Sequence, residues 1–234
     1  DTAPGAVAGQ NFSQFSQITL DASGNTVFQG FTNDGSTGQS GIWRENGGSL
    51  GIEALSGDAA PGIGAGVTFS SFLNGVQGNN GIFGYNAEVT GTGITTGSND
   101  RVVYRDTGSG PTVVARRGDV APGTAGGEIF TDLVAKQMNA SGAMVLFGET
   151  SAAVDNVGLW KDVGGVLTKV VQTGDAAPGL GAGVFFDDIQ SLPGIDGSGD
   201  IVFHANLRGT GITAGTNDRT IWKEGGGVLT LVAQ

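Results

Sequence analysis

Gly57-Asp58-Ala59-Ala60-Pro61-Gly62 is the phrase on which the chain is built. It returns as Gly118-Asp119-Val120-Ala121-Pro122-Gly123 and as Gly174-Asp175-Ala176-Ala177-Pro178-Gly179, and the chain itself opens on Asp1-Thr2-Ala3-Pro4-Gly5. These copies divide the 234 residues into four repeats, 1–57, 58–118, 119–174 and 175–234. A period of this length predicts one supersecondary unit per repeat inside a single repeat domain, with neighbours completing each other's core.

Four short strands are expected in each repeat. The first runs from Phe12 to Leu20 and starts in the others at Phe69, Ile129-Phe130 and Phe185-Phe186. A turn follows as Asp21-Ala22-Ser23-Gly24, Asn139-Ala140-Ser141-Gly142 and Asp196-Gly197-Ser198-Gly199, while the second repeat keeps only Gly78-Asn79-Asn80-Gly81. Asp or Asn at the first place can accept the N–H groups ahead of it. The second strand carries Phe28, Tyr85, Leu146 and Phe203, and two residues on, Gly30, Ala87, Gly148 and Ala205. Both places share one face of a strand, so a small residue there predicts a close approach of neighbouring sheets.

The third strand reads Ile42-Trp43-Arg44-Glu45, Val103-Tyr104-Arg105-Asp106, Leu159-Trp160-Lys161-Asp162 and Ile221-Trp222-Lys223-Glu224. Apolar, aromatic, basic, acidic recurs in all four repeats. A glycine-rich hairpin turn and a fourth strand such as Val228–Val232 close the unit. Sixteen strands in four antiparallel meanders predict an all-β β-propeller. The long segment Gly91–Arg101 returns as Gly209–Arg219, whereas the first and third repeats are shorter there, which implies an internal two-blade duplication.

Composition narrows the function classes. Glycine fills 45 positions and charged residues only 14%, yet 38% hydrophobic content is too high for disorder. A net charge of −11 repels phosphate backbones and argues against general nucleic-acid binding. It either keeps the surface soluble or lets carboxylates recruit divalent cations. Without cysteine there can be no disulfide and no thiolate metal site. No apolar run approaches the roughly 20 residues of a membrane span. Asp1 in place of an initiator Met predicts a processed or excised piece, and the ends are in phase with the repeat. Four blades then close alone, or further blades come from missing sequence or a second chain.

Two groups of residues are candidates for a site. Asp1, Asp58, Asp119 and Asp175 either form Asx-type turns or act as calcium ligands; no other cofactor is expected. Asn99, Asp100 and Arg101, with Asn217, Asp218 and Arg219, are expected on the face that carries the junctions. They offer planar hydrogen-bonding groups for sugar hydroxyls or a protein partner, or else they brace their own loops. The aromatic-basic-acidic strand is expected to be structural, with its aromatic in the inter-blade core and its charged residues pairing near an edge, rather than a stacking surface for nucleic acid or sugar.

Catalysis has little to work with, and no enzyme is expected. His204, the only histidine, stands where Gln29, Asn86 and Phe147 stand. Asp187 and Asp188 are adjacent and should point to opposite faces. A two-carboxylate hydrolase could be drawn from Glu88, Glu149 and the junction aspartates. Asn11-Phe12-Ser13 and Asn139-Ala140-Ser141 match a glycosylation sequon.

The Gly-Asp-x-Ala-Pro-Gly junction, the Asx turn before a Phe-bearing strand and the Gly-Ile-Trp strand together resemble the bacterial tandem-repeat surface proteins of choice-of-anchor type. That resemblance runs over the whole chain. It implies an exported propeller and brings no catalytic residues with it. The expected function is a non-enzymatic extracellular scaffold or adhesion module. Its partner would be itself, as homo-oligomer or filament, or a surface protein or glycan. The alternatives are a lectin that uses the same-face loops and a secreted polysaccharide hydrolase or lyase.

Overall fold

The computed structural model describes residues 1–21, 23–33, 38–76, 81–190 and 192–234. The first repeat forms β1 (Asn11–Leu20), β2 (Thr26–Asn33), β3 (Gly38–Asn46) and β4 (Ser49–Leu55). The second forms β5 (Val67–Val76), β6 (Phe83–Gly91), β7 (Arg101–Asp106) and β8 (Pro111–Arg116). The third forms β9 (Phe130–Met138), β10 (Met144–Thr150), β11 (Val157–Val163) and β12 (Val166–Gln172). The fourth forms β13 (Val184–Ile189), β14 (Gly194–Ile195), β15 (Ile201–Gly209), β16 (Arg219–Gly225) and β17 (Val228–Ala233). Each repeat is one antiparallel sheet paired in chain order, so the protein is all-β and built from four like meanders. In the fourth sheet β13 and β14 both pair with β15; the first strand is broken in two near Pro193, which has no N–H for the ladder.

Local chemistry explains the meander. The β3–β4 turn places Gly47 and Gly48 at φ 60 and 86, the type I′ geometry that matches strand twist, and Gly164-Gly165 and Gly226-Gly227 repeat it. The Asx turns form as predicted: Asp21 Oδ1 accepts the N–H groups of Ser23 at 2.8 Å and Asn25 at 2.9 Å. Asn139 Oδ1 accepts Ala143 N–H at 2.9 Å, and Asp196 Oδ1 accepts Ser198 N–H at 2.9 Å. The expected turn of the second repeat, Gly78-Asn79-Asn80-Gly81, falls at 78–80 outside the described residues. Two bulges recur in all four sheets. One follows the first Phe (Phe12, Phe69, Phe130, Phe186), and the other lies opposite the third-strand aromatic. Bulges increase local twist, and here they act at matching places in each sheet.

The chain divides into two compact units, residues 1–117 with 140–142, and 118–139 with 143–234. The boundary falls between the second and third repeats, the same level as the duplication read from the loops. In the first unit, Val27, Ile42 and Ala54 of one sheet pack with Phe69, Phe72 and Tyr104 of the next. In the second, Val145, Leu159 and Val171 pack in the same way with Phe186, Phe203 and Trp222. Each such large side chain, fully buried, is worth about 1.5–3 kcal/mol.

Within the sheets, the first-strand Phe meets the third-strand aromatic edge to face. The pairs are Phe12–Trp43 at 4.9 Å, Phe69–Tyr104 at 5.4 Å, Phe130–Trp160 at 4.9 Å and Phe186–Trp222 at 5.0 Å between ring centroids. The small residue of the second strand lies beneath this pair. A Cβ on Gly30 would stand 2.9 Å from the Trp43 ring and 3.0 Å from Phe12; on Gly148 it would meet Phe130 and Trp160 at 3.1 Å. The expected close approach is therefore real, but it is made by rings of the same sheet rather than by a neighbouring sheet.

Tyr85 places a polar atom in the core of the second sheet. It is 1% exposed, and its hydroxyl has no hydrogen-bond partner among the described residues. Burial pushes its pKa far above the usual tyrosine value. Phe28 and Phe203 fill the matching places in the first and fourth repeats. An orphaned buried hydroxyl costs about 1–3 kcal/mol, so Tyr85→Phe is expected to raise the thermal midpoint. A lowered midpoint would mean that the hydroxyl does have a partner.

Candidate functional site

The junction, the third strand and the long loops are the three repeated chemistries from which a site could be made. The junction runs back along the start of its own first strand as a short antiparallel bridge: Thr2 with Asn11, Ala59 with Thr68, Val120 with Ile129, Ala176 with Phe185. The carbonyls of Asp1, Asp58, Asp119 and Asp175 accept the N–H groups of Phe12, Phe69, Phe130 and Phe186 at 2.9–3.1 Å. The alanine before each proline, at 3, 60, 121 and 177, is at most 5% exposed.

Aromatic side chains lock these corners. Trp43 Nε1–H donates to the Pro4 carbonyl at 2.9 Å, the Tyr104 hydroxyl to Pro61 at 3.0 Å, and Trp160 Nε1–H to Pro122 at 3.0 Å. This explains why the place is Trp or Tyr and never Phe: the ring must fill the core and also carry a donor. Trp222 differs. Its Nε1–H donates to Thr220 Oγ1 at 2.7 Å, and that hydroxyl donates to the Ala205 carbonyl at 2.8 Å. Thr220 occupies the place of Gly41 and Gly158, where any Cβ would come within 2.8 Å of the indole.

The remaining letters of the strand motif are equally occupied. The acidic residue accepts N–H groups of its own hairpin turn: Glu45 from Gly48 at 2.5 Å, Asp106 from Gly108 at 2.6 Å, Asp162 from Gly165 at 3.4 Å and Glu224 from Gly227 at 2.6 Å. In the first and third repeats the basic residue reaches toward the next sheet, whereas Lys223 pairs with Asp200 of its own at 2.8 Å. Arg44 Nη1 donates to the Gly81 carbonyl at 3.1 Å and its guanidinium lies 5.3 Å from the Phe83 ring centre. Lys161 Nζ meets Glu224 at 2.6 Å. Core packing of the aromatic, as expected from sequence, is thus accompanied by a sheet-to-sheet link that sequence reading missed.

The loops are braced from within. Asn99 Oδ1 accepts Thr95 N–H at 2.7 Å and its Nδ2 donates to Gly93 O at 3.0 Å; Asn217 repeats both bonds with Thr213 and Gly211 at the same distances. Asp100 Oδ2 accepts Gly97 N–H at 3.0 Å, and Asp218 Oδ1 accepts Gly215 N–H at 2.8 Å. Asp100 also takes the Arg117 guanidinium at 2.7 Å in a buried pair. Burial alone would raise its pKa, but the Gly97 N–H and Arg117 together hold it below the usual carboxylate value. Arg101 lies 3.4 Å from Glu88, while Arg219 is exposed. Arg116, at the end of β8, donates to Asn99 O at 2.7 Å and braces the loop further.

The carboxylates do not converge. Among the described residues no three His, Asp or Glu side chains form a group able to hold a metal. Asp58, Asp119 and Asp175 stand in separate junctions; Asp175 accepts Gln172 N–H at 2.8 Å and Lys169 Nζ at 3.0 Å. Asp187 pairs with Arg208 at 3.0 Å, and Asp188 accepts from Gln190. Arg208 also binds Asp155 at 2.8 Å, and these two hydrogen bonds raise its pKa further. The sequon residue Asn139 is 7% exposed, and its Nδ2 donates to the Asp196 carbonyl at 2.8 Å. His204 is half-buried and lies beside Ile221 in the fourth sheet.

The model of a family of unknown function, DUF7453, matches residues 1–160 and again 145–234. No curated protein matches the chain. Among solved structures it is similar to a protein of unknown function from Dyadobacter fermentans, with 12% identity and a TM-score of 0.39 over 97% of this chain and 74% of that one. It is also similar to a hypothetical protein from Leishmania major, with 11% identity and a TM-score of 0.33 over 98% of this chain and 70% of that one.

Proposed function

We propose that this chain, which belongs to the DUF7453 family, is a non-enzymatic scaffold whose four sheets are blades of a β-propeller and whose work is association. The observation that carries this reading is the sheet-to-sheet link. Gln29 Nε2 donates to the Phe72 carbonyl, Arg44 to Gly81, Asn139 to the Asp196 carbonyl, and Lys161 pairs with Glu224. The basic residue of the third strand recurs at every repeat, and in the first and third repeats it joins one sheet to the next, which is the chemistry of an array. The loop residues that a lectin would use are engaged with their own backbone, which favours assembly over sugar binding. An exported, surface-associated setting of the choice-of-anchor type suits an acidic chain with no cysteine and few lysines.

Light scattering with negative-stain imaging tests the proposal. The expected result is a particle heavier than the 23.4 kDa chain, seen as rings or filaments of repeated blades. A single-chain particle at every concentration would overturn the association reading. Polysaccharide turnover abolished by one carboxylate substitution would replace it with a hydrolase or lyase.

A further inference from the structure

The repeats share two faces, and the internal packing defines their polarity. One face carries the residue before the third-strand aromatic. Ile42, Val103 and Leu159 are each 0% exposed there, but Ile221 is 42% exposed. Val27 and Val145 of the same face are buried, whereas Val202 is 45% exposed. The opposite face carries the residue three beyond the first Phe. Phe72, Leu133 and Ile189 are at most 3% exposed, but Phe15 is 51% exposed, with Ile18 and Leu20 beside it at 68% and 62%. One sheet thus has its leading face uncovered, and another its trailing face.

We infer that the leading face of the fourth sheet docks on the trailing face of the first sheet in a second copy of this chain, head to tail. The occupant follows from continuity with the packing already present. In both units a leading face built of Val, Ile or Leu lies against a trailing face built of Phe and an aromatic ring. The uncovered pair offers the same two chemistries: Val202 and Ile221 on one side, Phe12, Phe15 and Phe28 on the other. Hollows lie on both faces. One of about 270 Å³ is bounded by Ile195, Val202 and Lys223, one of about 230 Å³ by His204 and Ile221, and one of about 350 Å³ by Phe12, Phe15 and Phe28. At the internal interfaces such space is filled by the facing sheet.

Polar groups agree with the same register. Lys161 meets Glu224 across the third and fourth sheets at 2.6 Å. One repeat further on, Lys223 is 52% exposed, held at 2.8 Å by Asp200 of its own sheet and able to swing to a partner, and Glu45 holds the place of Glu224 in the first sheet. His204 stands where Gln29 donates to the Phe72 carbonyl, so its ring would face the Phe15 carbonyl of the second copy. A head-to-tail contact is heterologous; it builds a ring where the rotation closes and a filament where it does not.

This inference rests on the association reading, and complementation separates the two. Ile221→Asp disables the leading face and Phe15→Asp the trailing face; each variant alone is expected at single-chain mass by sedimentation. Mixed in equal amounts, they are expected to double in mass and stop there, because each supplies the face that the other lacks. Val202→Lys with Leu20→Lys is a second pair at exposed places, and circular dichroism verifies the fold of each. Variants that assemble as the wild type does, or a mixture that stays at single-chain mass, would overturn the docking while leaving association intact. A wild-type chain that never exceeds single-chain mass would overturn both.

Discussion

Asp100→Asn is expected to lower the unfolding free energy by about 3–5 kcal/mol, while Asp218→Asn, at the matching place of the fourth repeat, costs about 1 kcal/mol or less. The two aspartates make the same turn bond, to Gly97 at 3.0 Å and to Gly215 at 2.8 Å. Only Asp100 also faces a guanidinium, Arg117 at 2.7 Å, with side chains 7% and 11% exposed. An asparagine can keep the turn bond but gives up the buried ion pair with Arg117, and breaking a buried pair is the larger penalty. Urea unfolding at neutral pH measures both. Equal midpoints for the two variants would show that the pair adds nothing to the turn.

Acid adds a signed test of the same group. The folded Asp100 pKa lies below its unfolded value: burial raises it, but Gly97 and Arg117 lower it by more. The stabilisation is fully present above the unfolded carboxylate pKa and is lost as pH falls through the folded one. Wild type is therefore expected to lose its advantage over Asp100→Asn in acid. An unchanged gap there would sink the assignment.

Much of this fold was legible because its determinants are local. A glycine pair at positive φ, an Asp two residues before the N–H that it caps, and a period-2 alternation each announce a turn or a strand. The links between distant segments were not. Trp43, Tyr104 and Trp160 donate to proline carbonyls some forty residues away, and a backbone carbonyl leaves no trace in composition. The one usable signal was that the place is always Trp or Tyr, rings with a donor, although twelve phenylalanines occur in the chain. The loops admitted two readings for a related reason. Asn99 and Asp100 are recognition residues by type, but their spacing from Thr95 and Gly97 is that of residues capping their own turn.

The alternation of repeats also has a physical root beyond loop length. In the first and third repeats Gly41 and Gly158 lie beneath the indole, whereas Val102 and Thr220 hold that place in the second and fourth. Glycine lets the indole lie flat along its own strand. With a Cβ there the aromatic must change, to tyrosine in the second repeat or to a different donor geometry in the fourth. Duplication of a two-repeat ancestor would leave this pattern in the core as well as in the loops.

Trp160 gives the corresponding test of the junction. Trp160→Ala is expected to cost about 3–5 kcal/mol, since it empties a fully buried site beneath Phe130. Trp160→Phe keeps a ring there and loses the donor to Pro122, which leaves a carbonyl without its partner at a cost of about 1–3 kcal/mol. Trp222→Phe serves as the control within the same unit. Its Nε1–H is bonded to Thr220 and not to the junction, so the corner at Ala177-Pro178 should keep its protection from hydrogen exchange and proteolysis. Loosening of residues 119–123 in Trp160→Phe, with no matching change at 175–179 in Trp222→Phe, would establish the aromatic as the lock of the repeat boundary. Equal loosening in both would mean that these substitutions act through ring packing alone, and that the choice of Trp or Tyr needs another cause. The distinction bears on assembly too, because the junction fixes where each repeat enters its sheet, and the uncovered face of the first sheet is framed by the Asp1–Gly5 corner that Trp43 holds.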